Sequence, residues 1–395
     1  MIHVLLIFFI VLGFILILSK YELGIVLSAG ALLFAILAQI NIIDSLLAVL
    51  LNPSIILLAI AVTMIPILGE IMSESGLMLE LVQKMKISKK ASLMMTPAFF
   101  GLLPVAGGAL MSAPILDQID SNLNSDQKVA INVWYRHVLI FIYPISSALI
   151  VASIISGIPL YLIFMSLLMP FIVLILIGYV ILIRKIENED IESERDVKRV
   201  IRNLLPLIIT PIIDFFGRTF LEFPYPEVFL LVGLIISTAI ALKIGKMSIS
   251  KLKPIAIKMQ LWRFPLLILA MFWFLEVFIR SEVPTEVGKL NLHFFLFICL
   301  GFFLGFATGR IQLPLSILIP IYLIQYGLKI MFLLDFVFLY SAIFLGYIIT
   351  PIHPCVAYSK EFFKVAYKDM FISLAKPTFT CFGILIAIYT VFLIL

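Results

Sequence analysis

The sequence predicts an all-α polytopic membrane protein, and three observations predict it. Hydrophobic residues make up 63% of the 395 residues and charged residues only 13%, with a mean hydropathy of +1.21. A soluble domain is about half apolar and about a quarter charged, so this chain lacks the polar surface that a water-soluble fold of its length needs. Apolar runs of about 20 residues, the length of helix that spans a bilayer core, recur from end to end. Between them, the lysines and arginines gather in short segments, as membrane orientation requires. That distribution accounts for the net charge of +5, so the expected partner is the lipid bilayer and no nucleic acid is expected.

Ten crossings are predicted: 2–18, 22–39, 54–72, 128–157, 159–183, 201–216, 225–242, 261–279, 331–357 and 371–395. The first is a retained helix rather than a leader, because Lys20 follows the apolar run instead of preceding it. Two further apolar stretches, 91–116 and 291–326, are interrupted by Pro and Gly, at Pro104, Gly107 and Gly108 in one and at Gly305 and Gly309 in the other. Charge decides how to read them. Lys84, Lys86, Lys89 and Lys90 lie before the first, and Arg184, Lys185, Arg195, Lys198, Arg199 and Arg202 follow two crossings later. The two clusters share a side only if 91–116 turns back. The lysines from Lys243 to Lys258, and those from Lys360 to Lys376, pose the same test for 291–326.

With both stretches re-entrant, the termini lie outside. Of the 28 lysines and arginines, only Arg218, Arg280, Lys289 and Lys329 then fall outside, and Arg136, Arg263 and Arg310 lie at membrane depth. Each half then has five crossings and one hairpin. Five is odd, so the halves are inverted repeats: residues 1–183 with hairpin 91–116, and residues 201–395 with hairpin 291–326, joined by a charged cytoplasmic linker, 184–200. Gly101 precedes Pro144 much as Gly305 precedes Pro351. The predicted location is the inner membrane.

Non-helical backbone at bilayer depth survives only where protein or a wet cavity covers it. The candidate site therefore lies at the two hairpin tips and at the breaks beside Pro144 and Pro351. Helix N-termini there favour an anion, and free carbonyls favour Na⁺ or a protonated group. The candidate substrate-binding residues are Pro104, Gly107, Gly108 and Ser112 at the first tip, Thr308, Gly309, Arg310 and Gln312 at the second, Ser146 at the first break, and Thr350 and His353 at the second. The small residues of the first tip serve close packing equally well. Arg310 fits an anion contact, a structural ion pair, or a tip in outer water.

Arg136 and His137 are vestibule or coupling candidates, although Arg136 could instead snorkel. Asp214 is a further coupling candidate. His353 titrates near neutral pH when unperturbed, which suits proton coupling, but a structural hydrogen bond would use it as well. Glu70 and Glu276 are read as interfacial. The three cysteines, Cys299, Cys355 and Cys381, have neither disulfide nor metal spacing.

The stretch from Gly101 to Pro114, GLLPVAGGALMSAP, resembles the hallmark of the domain-of-unknown-function 401 family of integral membrane proteins. The stretch from Gly346 to Cys355, GYIITPIHPC, resembles its second signature, a Pro-x-His-x-Cys pattern. The similarity covers nearly the whole chain. That family is grouped with the ion transporter superfamily, which includes citrate, gluconate, dicarboxylate and Na⁺/H⁺ carriers. The resemblance implies hairpins and broken helices around a central site, and often a homodimer. The Ser-Asn-Thr hairpin motif of the dicarboxylate carriers is missing here: the first tip reads Ala106, Gly107, Gly108, Ala109.

The expected function is secondary active transport of a small organic anion by alternating access, with H⁺ or Na⁺ as coupling ion and no other cofactor. A cation/proton antiporter is the alternative, ranked second because few central carboxylates are visible. No enzyme is expected, since no His-Glu-x-x-His, Gly-x-Ser-x-Gly or nucleotide loop occurs.

Overall fold

The computed structural model describes residues 2–18, 21–85, 87–102, 108–188 and 196–394, and every regular element in them is helical. The first half holds α1 Ile2–Leu18, α2 Leu23–Leu37, α3 Ile42–Leu50, α4 Pro53–Glu74, α5 Leu77–Lys84, α6 Lys89–Gly101, α7 Gly108–Ile119, α8 Ser125–Ile142, α9 Ser147–Ser156, α10 Leu160–Ser166 and α11 Leu168–Gly178. The second holds α12 Val197–Phe220, α13 Glu227–Ile244, α14 Leu252–Lys258, α15 Arg263–Arg280, α16 Val283–Gly288, α17 Phe294–Thr308, α18 Gln312–Gln325, α19 Leu333–Ile349, α20 Pro354–Phe363 and α21 Tyr367–Ile394.

Among the described residues, five helices are long and apolar enough to cross a membrane, or up to eight when each bent pair counts as one span. Each of the ten segments expected to cross carries helix at its predicted position. The interrupted stretches are built from short helices, comparable in length with α2, which has 15 residues. Their arms, α6, α7, α17 and α18, have 13, 12, 15 and 14 residues. At 1.5 Å per residue each spans only about 18–22 Å, short of a ~30 Å hydrocarbon core. The arms of each stretch pack on each other, α6 on α7 and α17 on α18.

Proline chemistry sets the breaks. The residue before a proline is pushed out of the helical region. Accordingly, Tyr143 before Pro144 has φ −69°, ψ 114° and Thr350 before Pro351 has φ −69°, ψ 138°. Two residues after each proline a polar side chain caps the next helix. Ser146 Oγ accepts from Leu149 N, and His353 Nδ1 accepts from Cys355 N. The axes of α8 and α9 differ by 42° across the first break.

Contacts between the halves come in matched pairs. α4 packs on α13, and α15 on α2; α5 packs on α12, and α16 on α1; α7 packs on α20, and α18 on α9. Within each half the first hairpin arm lies against the helix that leads into the break, α6 on α8 and α17 on α19. Glycine makes that approach close. A Cβ on Gly101 would overlap the carbonyl of Arg136, and one on Gly305 the carbonyl of Ile343. Arg136 and Ile343 stand at the same distance before Pro144 and Pro351.

Polar clasps hold α5, α14 and α12. Glu80 accepts from Asn203, Arg199 and Arg202, each at 2.9 Å. The Asn203 bond is the chief cause holding its carboxyl below the usual carboxylate range. Glu70, expected at the interface, is 2% exposed and pairs with Lys258 at 2.5 Å. Glu276 pairs with Arg280 one turn on. Pro211 has no N–H, which leaves the Leu207 carbonyl without its helical partner. Tyr143, beside the first break, donates its hydroxyl to that carbonyl at 3.0 Å.

Gly101→Ala and Gly305→Ala are each expected to destabilise the fold by about 1–3 kcal/mol through overpacking. Thermal unfolding of the purified protein in detergent checks this, and wild-type midpoints for both variants would contradict the close approach.

Candidate functional site

The tip of the second hairpin is built by its own turn chemistry. Gly309 ends α17 at φ +61°, a left-handed conformation that favours glycine. Thr308 Oγ1 donates to Leu304 O at 2.7 Å and accepts from Arg310 N at 3.3 Å. The Thr308 hydroxyl is thus occupied in shaping the turn. The turn reaches both breaks. Gln312 Nε2 donates to Ser147 Oγ at 3.1 Å, at the start of α9. The open face of Gly309 lies against Ile352 and Thr350 of the second break.

Between this tip and the first break lies a cavity of about 220 Å³. Its polar wall comes from Ser146 and Ser147 at the N-terminus of α9, from Tyr143 and Tyr347, and from Arg310 and Gln312. The facing wall is apolar: Val62 and Ile65 from α4, Phe264 and Leu267 from α15. Leu102, the last described residue before the first tip, also lines it. Among the described residues no carboxylate forms an ion pair with Arg310. An oxyanion there would meet a guanidinium fork, two hydroxyls and the positive end of a helix.

A second polar group flanks the cavity. Arg136 and His137 were expected near the helix entrance, but α8 begins at Ser125, so His137 lies about 18 Å along it. It meets His353 of the second break, Nε2 to Nε2, at 2.7 Å. His137 Nδ1 lies 2.6 Å from Val133 O, and the Tyr347 ring stacks near both imidazoles at 5.4 and 4.4 Å. The charges of Arg136 and Arg310 both reach His353 and Tyr347.

Cys355 Sγ completes a group of three donor atoms within 4.8 Å of one another, a set that a metal could use. The hydrogen bonds fit one poorly. His353 Nδ1 is taken by the Cys355 N–H, which leaves the proton of the neutral ring on Nε2, where a metal would need a lone pair.

The other expected residues are distributed as follows. Pro104 and Gly107 lie outside the described residues, and Gly108 begins α7. Ser112 is not at the cavity. It donates to Asn132 Oδ1 at 2.7 Å, and Asn132 Nδ2 donates to Ser359 of α20 at 2.9 Å, which ties the first hairpin to the second broken helix. Thr350 is fully buried and its Oγ1 accepts from Ile352 N, inside the second break. Asp214 is remote from the histidines: it pairs with Arg218 and accepts from Tyr161. Tyr143, Ser147, Tyr347 and Asn132 were not singled out in the sequence. For Tyr143 the signal was its place before Pro144; the others carry none.

In a double-mutant cycle, Gln312→Ala and Ser147→Ala are expected to couple by about 0.6–1.7 kcal/mol, the range of hydrogen bonds between membrane helices. Additive effects on unfolding would contradict the contact between tip and helix.

No curated protein matches the chain. A family match runs from residue 1 to residue 394, under the description "Protein of unknown function (DUF401)". Since it spans all but the last residue, the chain belongs to the DUF401 family.

Proposed function

We propose that this protein is a secondary transporter that moves a small organic anion by alternating access, coupled to H⁺ or Na⁺. The observation that carries the reading is the cavity where Arg310 and Gln312 meet the α9 N-terminus. A cation at membrane depth is costly and needs a partner, and its surroundings offer helix-dipole and hydroxyl groups rather than a carboxylate. At about 220 Å³ the cavity suits a small carboxylate.

In this reading residues 1–183 and 201–395 are inverted repeats joined by the linker 184–200. The arms 91–116 and 291–326 are re-entrant hairpins, and the protein lies in the cell membrane with both termini outside. The matched contacts between the halves support it. So does the equivalent build of the two breaks, in which Pro144 and Ser146 correspond to Pro351 and His353. The superfamily grouping implied by the sequence fits the same plan. The hairpins and broken helices form one body and α4 with α15 the wall it faces. That wall presents only apolar side chains to the cavity, and a slide along it would break the contact in which Ser73 Oγ of α4 donates to Met111 Sδ of α7 at 3.1 Å. A cation antiporter needs free buried carboxylates; Asp214 and Glu70 are committed to Arg218 and Lys258, and Glu227, buried with one oxygen unpartnered, does not line the cavity.

The test is uptake of carboxylates into proteoliposomes with imposed proton or sodium gradients. Arg310→Ala is expected to weaken anion binding about ten- to a hundredfold, the loss of a charge-assisted hydrogen bond of about 1.5–3 kcal/mol. Wild-type affinity in that variant would remove the basis of the reading.

A further inference from the structure

We infer that the coupling ion is a proton, and that it is carried by the His137–His353 pair, which joins the two broken helices. The inference rests on the anion-transport reading and goes beyond it by assigning the coupling ion and its carrier.

Two backbone groups fix the protons of the pair. His137 Nδ1 faces the Val133 carbonyl at 2.6 Å, which can only accept, so that nitrogen carries hydrogen and Nε2 is bare. His353 Nδ1 faces the Cys355 N–H at 3.1 Å, which can only donate, so that nitrogen is bare and Nε2 carries hydrogen. His353 Nε2–H therefore donates to His137 Nε2 across 2.7 Å. Reversing the bond would set a donor against the Cys355 N–H and leave the Val133 carbonyl facing a bare nitrogen.

No position remains for another proton. Placed on His137 Nε2, it sets N–H against N–H and separates α8 from the second break. Placed on His353 Nδ1, it removes the cap from α20. Either way, protonation breaks one hydrogen bond at the second break; on His353 the Nε2–H bond to His137 persists, charge-assisted. The step is a simple proton uptake: one H⁺ from solution adds to the imidazole lone pair, one hydrogen bond breaks, and the same proton leaves on the other side of the membrane.

The surroundings link that proton to the anion. Among the described residues, the charged and titratable groups near the pair are Arg136 from α8, Tyr347 from α19, Arg310 from the second tip and Cys355 from α20, and none of these four is a carboxylate. A third positive charge beside two guanidiniums is repelled, and an anion in the adjoining cavity removes that repulsion. Proton and anion therefore favour each other's binding, by the same factor in each direction. That is the thermodynamic requirement for symport.

Isothermal titration of the purified full chain, in buffers of different ionisation enthalpy, counts protons taken up per anion bound. The probes are acetate, lactate and gluconate, all ionised between pH 6.5 and 8. Binding is expected to take up to one proton per anion and to tighten as pH falls, by up to tenfold per unit. His353→Asn keeps a capping acceptor for α20, and His137→Gln keeps a hydrogen-bonding side chain. Each is expected to bind the anion with no proton uptake and no pH dependence. Anion binding by the wild type without proton uptake, or uptake persisting in both variants, overturns the proton assignment and leaves the anion reading standing. If none of the three anions binds at any pH, the anion reading fails and the proton assignment fails with it.

Discussion

A bilayer core cannot hydrogen-bond a free peptide group, and the arrangement of this protein follows from that constraint. Among the described residues, apolar helices are interrupted at the turn of the second hairpin and at the breaks beside Pro144 and Pro351. Each interruption leaves N–H and C=O groups that lipid would penalise by several kcal/mol. The described interruptions satisfy one another. Ser146 and His353 cap the helices that follow them, Thr308 closes its own turn, Gln312 reaches Ser147, and Tyr143 answers the carbonyl exposed by Pro211. The polar centre exists because every element in it needs the others.

Small residues make the arrangement compact enough to work. Gly101 and Gly305 bring each hairpin against the helix that leads into the break of its own half. Asn132 then bridges Ser112 in the first hairpin and Ser359 in the second broken helix. A displacement at either tip is thereby felt at a break, which is the kind of contiguous polar network through which two binding events can be coupled. The cavity lining that α4 and α15 contribute is apolar by comparison, and in the proposed transport cycle the moving body would part from the rest along that change of lining.

Much of this was legible in the sequence, because proline and glycine punctuate a helix for reasons of covalent geometry. Pro144 and Pro351 located both breaks. Gly309 located the second tip, and Arg310 stood out as a charge in apolar surroundings. What could not be read is rotation about the helix axis and depth along it. Ser112 and Ser146 look alike in the sequence, yet one faces Asn132 and the other the cavity. His137 stands out as a vestibule or coupling candidate, but its reach to His353 depends on the rotation of α8. Asp214 stands out as a coupling candidate, but its partners Arg218 and Tyr161, one turn on and in a distant segment, are not signalled by the sequence.

The account depends on the first hairpin turning back before it crosses. Asn122, exposed between α7 and α8, reports this directly. With Cys299, Cys355 and Cys381 replaced by alanine, Asn122→Cys is labelled in intact cells with a membrane-impermeant maleimide. A cytoplasmic position predicts no labelling until the cells are opened. Prompt labelling from outside would contradict a re-entrant hairpin and the central site built on it.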